Sequence, residues 1–285
     1  MIGPDIPQNP PDTTTPMHVP WKIDSYFSGF LLVATANTIA LVGLLASRRL
    51  LRRLDLISHH EVGGFLLSVV GTMYAVILGL IVVDSLARFQ FGRQTTEQEA
   101  NALANIVLLS KQLPPDRRDR VQGLAIAYAD LVVNNEWLLL DDGKYSPDAH
   151  STALELIDTI GDFEPKTGRD QAVYEAALDS IEEFWNNRRI RVVTATHGIP
   201  SLEWFVLVAG GIITVTFTYF FRLDHLRIQV AMTSLVSTII ALNLYLILMF
   251  GYPFSGDVKV SCDSFNVAQA IISHRATSPA TAMSR

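Results

Sequence analysis

Apolar residues gather in four blocks, about 27–46, 64–83, 203–221 and 228–250, and Lys, Arg, Asp and Glu occur only at their edges. A helix needs roughly 20 apolar residues to cross about 30 Å of hydrocarbon. A charge at the centre of a span is costly, so uninterrupted blocks of this length predict membrane helices rather than buried core helices. The blocks fall into two pairs, which predicts four transmembrane helices in a two-plus-two order.

Between the pairs the pattern changes to an amphipathic one. Val121, Leu124, Ala125, Tyr128, Leu131 and Val132 keep the spacing of one helical face. Ala153, Leu154, Leu156, Ile157 and Ile160 carry a second helix, and a third runs from about 169 towards His197. Pro114-Pro115-Asp116 ends one helix and starts the next, because proline is tolerated in a first turn and an acid favours the helix N-terminus. Asp141 to Pro147 is a turn that offers Ser146 as a labelling position, Pro165 to Gly168 is a break, and Gly198-Ile199-Pro200 is a bend. No alternating run of β-branched residues marks a strand. The fold class is therefore all-α: an integral membrane protein with a helical, membrane-proximal soluble domain.

The second block has no proline before Pro114, so a single helix over about 61–113 can leave the bilayer and enter the soluble region without a break. The predicted organisation is a Pro/Thr-rich disordered tail (1–24), a first transmembrane pair (25–86), the soluble helices (87–202), a second transmembrane pair (203–251), and a capping segment with a polar tail (252–285). Pro253 stops the fourth span, and Gly256-Asp257 can turn the chain back to cap the bundle at the membrane surface. The first block is longer than a usual signal core and is followed by arginines, so it reads as a span rather than a cleaved signal.

Charge sets an orientation. Arg48, Arg49, Arg52 and Arg53 crowd the link between the first two spans, and Arg222 and Arg227 flank the tight link between the last two. By the positive-inside rule both links are cytoplasmic, which leaves 87–202 outside a bacterial inner membrane. The formal net charge of −6 over 285 residues gives no reason to expect nucleic acid. The single cysteine, Cys262, excludes an internal disulfide and a cysteine-built metal site. His59-His60-Glu61 lacks further ligands nearby, no phosphate-binding or nucleophile-elbow motif is present, and neither an enzyme activity nor a cofactor is expected. The acids of the soluble region alternate with bases, as on a solvated helix surface.

Polar positions inside the spans are the remaining candidates. Gly64, Ser68, Gly71, Thr72, Ala75 and Gly79 share one face of the second span. Small faces let membrane helices pack closely; equally, this face can line a pore in which Met73, Tyr74, Ile77 and Ile81 form a hydrophobic constriction. Gly210, Thr214 and Thr218 on the third span, and Ser234, Ser237, Ala241 and Tyr245 on the fourth, read as packing stripes. Asn37 and Asn243 each need a partner within the bilayer, and a helix–helix hydrogen bond supplies one. Asp84 and Arg88 are spaced as a surface ion pair.

Several short motifs bear a resemblance. Glu61-Val62-Gly63-Gly64-Phe65, Gly71-Thr72-Met73-Tyr74-Ala75-Val76, Glu99-Ala100-Asn101-Ala102-Leu103, Glu136-Trp137 and Pro253-Phe254-Ser255-Gly256 are similar to those of the bacterial bestrophin-like family, over nearly the whole chain beyond the tail. The resemblance implies a fold related to bestrophin anion channels, which assemble as pentamers around a central pore and keep their soluble domain in the cytosol. It places neither their aromatic neck nor their calcium clasp on named residues of this chain. The expected function is a homo-oligomeric channel in the lipid bilayer for small ions, chloride in the first place, with the second span lining the pore. The alternative is a non-conducting membrane scaffold or sensor whose soluble helices bind a partner or ligand.

Overall fold

The computed structural model describes residues 26–50, 60–221 and 225–276, with side chains from 63 onward in the second helix and up to 273 in the last. The tail at 1–24, Arg52, Arg53, Arg222 and the side chains of His59, His60 and Glu61 lie outside the described residues. Among those residues every regular element is helical: α1 (Tyr26–Leu50), α2 (His60–Ser110), α3 (Pro115–Leu131), a π-helical turn (Val132–Glu136), α4 (Trp137–Asp141), α5 (Pro147–Gly161), α6 (Gly168–Thr196), α7 (Ser201–Tyr219), α8 (Leu226–Phe250) and α9 (Asp263–Ala276).

Helices α1, α2, α7 and α8 each contain a stretch long and apolar enough to cross a membrane. The protein is an all-helical integral membrane protein with four transmembrane helices. Local chemistry accounts for their ends. Arg48 and Arg49 sit in the last turn of α1, where cations suit the negative end of the helix dipole. Pro200 caps α7 and Glu203 lies in its first turn. Helix α2 is one uninterrupted helix of 51 residues that stops at Ser110, short of the proline pair. Pro115 and Asp116 open α3, and the Ser146 hydroxyl caps α5 by accepting from the Ala149 N–H.

The chain forms two compact units. One holds α1, α2 as far as Leu80, and the chain from His197 to Leu246; the other holds Ile81 to Thr196 and the chain from Ile247 onward. In the first unit, three tyrosines occupy notches opposite glycines. A Cβ on Gly210 would lie 2.4 Å from the Tyr74 ring, one on Gly43 2.6 Å from the Tyr219 hydroxyl, and one on Gly29 2.7 Å from the Tyr245 ring. The Tyr74 hydroxyl donates to Leu207 O and that of Tyr219 to Ala40 O, both at 2.9 Å, so two of the notches are also locked by a hydrogen bond. Asn37 Nδ2 donates to Thr238 Oγ1 at 2.9 Å, the interhelical bond expected of it. Asn243 instead donates to Ile239 O of its own helix.

In the second unit, α3 packs on α5 and α9. A single hydrophobic core draws on Leu103 and Ile106 of α2, Val121 and Ala125 of α3, Leu156 and Ile160 of α5, Ile181 and Phe184 of α6, and Phe265 and Ile272 of α9. The C-terminal segment, expected as a cap, thus contributes to this core, together with Phe254 and Val260. Gly256 has φ +79°, which lets the chain reverse after Pro253.

Candidate functional site

The most concentrated chemistry in the second unit is a buried ionic cluster. Glu99, Glu136, Arg188 and Arg191 are each 2 % exposed or less, and Tyr128 is fully enclosed beside them. The expectation of acids solvated among bases fails for these residues. Arg191 grips Glu99 with both ends of its fork, Nε to Oε2 at 2.6 Å and Nη2 to Oε1 at 3.0 Å. The same Nη2 donates to Glu136 Oε2 at 2.8 Å. Arg188 donates from Nη1 and Nη2 to the two oxygens of Glu136, both at 2.9 Å, and from Nη1 to the Tyr128 hydroxyl at 2.7 Å. That hydroxyl donates in turn to Glu99 Oε1. The Ser146 N–H adds a bond to Glu136 Oε1 at 3.2 Å.

Two acids and two bases cancel in charge, so the cluster can be buried without a counter-ion. Aromatic faces supply the rest of its surroundings: Arg188 lies 5.2 Å from the centroid of the Tyr128 ring, and Arg191 lies 5.4 Å from Trp137 and 5.7 Å from Phe265. Burial by itself would raise the Glu136 carboxyl, but the Arg191 and Arg188 guanidiniums overcome that and hold it at about 2. Burial also pushes the Tyr128 phenol far up, so it stays protonated and keeps its proton for Glu99.

The local folding that assembles the cluster is specific. In a regular α-helix Glu136 would lie about 80° around the axis from Tyr128. The π-helical turn at Val132–Glu136 absorbs extra chain and brings both residues onto Arg188. On α6, Arg188 and Arg191 continue the buried line of Ile181 and Phe184, and on α2 Glu99 continues that of Leu103 and Ile106. Charged residues standing on apolar stripes were the available signal, and reading charge as surface missed it.

Three of the short motifs converge here. Glu99 heads Glu99-Ala100-Asn101-Ala102-Leu103 and Glu136 precedes Trp137. The Trp137 indole donates to Val260 O at 3.1 Å, and its ring meets Phe254 edge-on at 5.7 Å. Ser255 Oγ and the Gly256 N–H both donate to Asp141, each at 3.0 Å. A Cβ on Gly92 would stand 3.2 Å from both Pro253 and Phe254, so this glycine allows α2 to approach the segment closely. Both acids of the cluster are fully occupied and buried, while Arg191 Nη1 is buried without a hydrogen-bond partner among the described residues. The cluster is built to hold elements together rather than to bind or transform a substrate. Among the described residues no group of three or more acids, histidines or cysteines could hold a metal.

The pore candidates on α2 divide by exposure. Ser68, Thr72, Met73, Ala75, Ile77 and Gly79 are uncovered, Gly64, Gly71 and Ile81 are half-buried, and Tyr74 is buried against α7. The Ser68 and Thr72 hydroxyls donate to Gly64 O and Ser68 O of their own helix. Asp84 and Arg88 form the expected surface pair at 2.8 Å. Arg48 Nε donates to Gln229 Oε1 at 2.8 Å and Arg49 is exposed. A groove of about 660 Å³ between α1, α7 and α8 is lined by residues such as Leu32, Ile39, Ile212 and Ile240, and no charged side chain lines it.

Comparisons with known proteins agree with this architecture. The chain matches 88 % of its length, and 99 % of the other chain, to a variant of a bacterial bestrophin homologue from Klebsiella pneumoniae, with 13 % identity and a TM-score of 0.65. A second structure of a Klebsiella pneumoniae bestrophin homologue matches with a TM-score of 0.64 and 13 % identity, over 85 % of this chain and 96 % of that one. A variant described as a membrane protein matches with a TM-score of 0.64 and 14 % identity, over 84 % and 98 %. At these identities the likeness is one of fold. No curated protein sequence matches. Residues 34–265 match the Bestrophin-like domain, and the chain therefore belongs to the bestrophin-like family.

Proposed function

We propose that this protein is the subunit of a homo-oligomeric, anion-conducting membrane channel in which α2 lines the pore. The supporting observation is how little its own chain covers α2. In its most apolar stretch 11 % is buried, close to the 17 % of α1 and α7 and the 22 % of α8, so most of its surface is left for lipid or a neighbouring copy. The uncovered surface includes the small residues Ser68, Thr72, Ala75 and Gly79, which leave room along a shared axis, and the bulkier Met73 and Ile77, which can narrow it. The fold shared with bacterial bestrophin homologues and the family resemblance to anion channels, which are pentameric, point the same way. Chloride is the first ion to test.

Purified protein in liposomes should pass chloride in a flux assay, and Ile77→Ala should change the rate several-fold at equal protein content. Absence of flux for chloride and for small cations under every condition tried would sink the proposal. A non-conducting scaffold or sensor is the second reading, and one observation favours it: the Ser68 and Thr72 hydroxyls are satisfied by their own helix, so close packing alone explains the small face. That reading requires Gly71 and Ala75 to be sealed against neighbouring helices in the assembled protein, which an oligomer structure in a membrane mimetic would reveal. Within the bacterial inner membrane, the arginines at the end of α1 favour an extracytoplasmic side for the soluble helices, and thiol labelling decides this point.

A further inference from the structure

A hydroxyl inside a membrane span has no water to bond, so serine and threonine there ordinarily donate to a carbonyl of their own helix. Thr38, Thr214 and Thr218 do so, to Ala34 O, Gly210 O and Val215 O at 2.7, 2.8 and 2.6 Å. Thr35, Thr216 and Ser237 do not. None of these three hydroxyls has a hydrogen-bond partner among the described residues, although Ser237 is only 3 % exposed. All three residues line the groove between α1, α7 and α8.

Two interhelical bonds set their depth. Asn37 of α1 is tied to Thr238 of α8, which puts Thr35 and Ser237, close neighbours of those residues in the chain, near one level. The Tyr219 hydroxyl reaches Ala40 O, which brings Thr216, one turn earlier on α7, to that level as well. At about 1.5 Å of rise per residue, the three hydroxyls lie within about one helical turn of each other in depth. Three helices thus present three unpaired hydroxyls to one space of about 660 Å³, a volume in the range of small-molecule sites. Around them the lining is largely aliphatic, with Leu32, Ile39, Ile212 and Ile240, and it includes no charged side chain.

We propose that this groove is a binding site for a neutral, lipid-soluble molecule that carries a carbonyl group. Its apolar body fills the groove, and its carbonyl oxygen accepts from these hydroxyls, chiefly that of the deeply buried Ser237. A charged ligand would find nothing in the lining to neutralise it. A plain hydrocarbon chain would leave the hydroxyls unpaired in an apolar medium, where a missing hydrogen bond is costly. The deficiency common to all three is a proton without a partner, so the missing group is an acceptor. The groove is formed by span helices, so its ligand enters from the bilayer. The site stands whether or not the chain conducts ions.

The test uses the full chain in liposomes and benzophenone, an apolar ketone that attaches to nearby C–H bonds on illumination. Peptide mass spectrometry should place adducts on the groove-lining stretches of α1, α7 and α8. Fluorenone should suppress these adducts at a membrane concentration at least about fivefold lower than fluorene, which has the same shape without the carbonyl. In Ser237→Ala and in Thr216→Val that preference should fall to about twofold or less, as one hydrogen bond is lost. Ile212→Trp, which fills the groove, should remove the adducts. Circular dichroism and a monodisperse elution profile identify the variants that have folded, and the comparison of the two competitors on the parent needs no variant. Equal competition in the parent overturns the proposal and leaves the groove to lipid chains. A parent without groove adducts overturns it too, the result expected where a neighbouring copy covers the groove. A preference that survives in both folded hydroxyl variants overturns the assignment to these residues.

Discussion

Glu136 binds two guanidiniums at once, so its loss leaves Arg188 without a carboxylate, Arg191 with Glu99 alone, and one net positive charge in a buried site. Glu136→Gln keeps the shape of the side chain and removes the charge. It should cost about 3–5 kcal/mol, the range for breaking a buried pair from one side, and lower the midpoint of thermal unfolding in detergent by roughly 10 °C. A shift within a degree or two would mean that the cluster is more hydrated than its burial implies. The same carboxyl makes stability depend on pH. Its folded pKa, about 2, lies below the ordinary 4.5, so its contribution is complete above 4.5, declines below that value and is gone once the pH passes about 2. His150 acts at higher pH. Burial, then the nearby Arg188, lowers its pKa from 6.5, with Glu136 opposing, so the unfolded chain takes up its proton first and stability is lost as the pH falls below 6.5. His150→Phe should flatten the stability profile as the pH falls below 6.5, and Glu136→Gln should flatten it below 4.5. Parallel profiles for parent and variants would refute both assignments.

At the scale of elements, glycine has two different roles in the spans. Gly210 is a socket: a methyl group there would overlap the Tyr74 ring, whose hydroxyl is tied to Leu207 O. Gly210→Ala should therefore destabilise the protein by about 1–3 kcal/mol, and the loss should shrink when Tyr74 is also replaced by Leu, as a double-mutant cycle would show. Gly71 and Gly79 face open space, with nothing among the described residues within 4 Å of an added Cβ. Gly79→Ala should leave a single subunit as stable or slightly more so, because alanine is the better helix former by about 1 kcal/mol. If a neighbouring copy packs on that face, the same substitution will appear in the oligomer distribution by native mass spectrometry.

These two kinds of glycine show what could be read from the chain alone. The four spans were legible because twenty apolar residues in a row have few other uses, and the helix breaks were legible because proline and glycine act locally. The difference between Gly210 and Gly79 was not, since it depends on a tyrosine more than a hundred residues away in one case and on none in the other. The charged cluster was illegible for a related reason. Glu99, Glu136, Arg188 and Arg191 become a neutral group only after three elements meet, α2, the π-helical turn and α6, and the turn that brings Glu136 in leaves no mark in the hydrophobic pattern. Asn37 could be anticipated, because an amide in a span must find a partner within its own neighbourhood.

At the scale of the whole molecule, charge bears on which side of the membrane carries the soluble helices. Arg48 and Arg49 close α1, and the positive-inside rule places that end in the cytoplasm. The family resemblance implies the opposite side. Chain insertion responds to this chain's own charges, so the soluble helices are expected outside the cytoplasm. Ser146 looked suitable for a test, but it is 1 % exposed and caps α5 through its hydroxyl, so a cysteine there would both resist labelling and damage the helix start. Lys144, on the same turn, is exposed. A Lys144→Cys protein on the Cys262→Ser background should react with a membrane-impermeant maleimide in intact spheroplasts, at a rate close to that after lysis. Reaction only after lysis would reverse the orientation and place the Glu99–Arg191 cluster in the cytosol. The arginines of the α1–α2 link would then lie on the outer face, against the rule that charges near span ends usually obey.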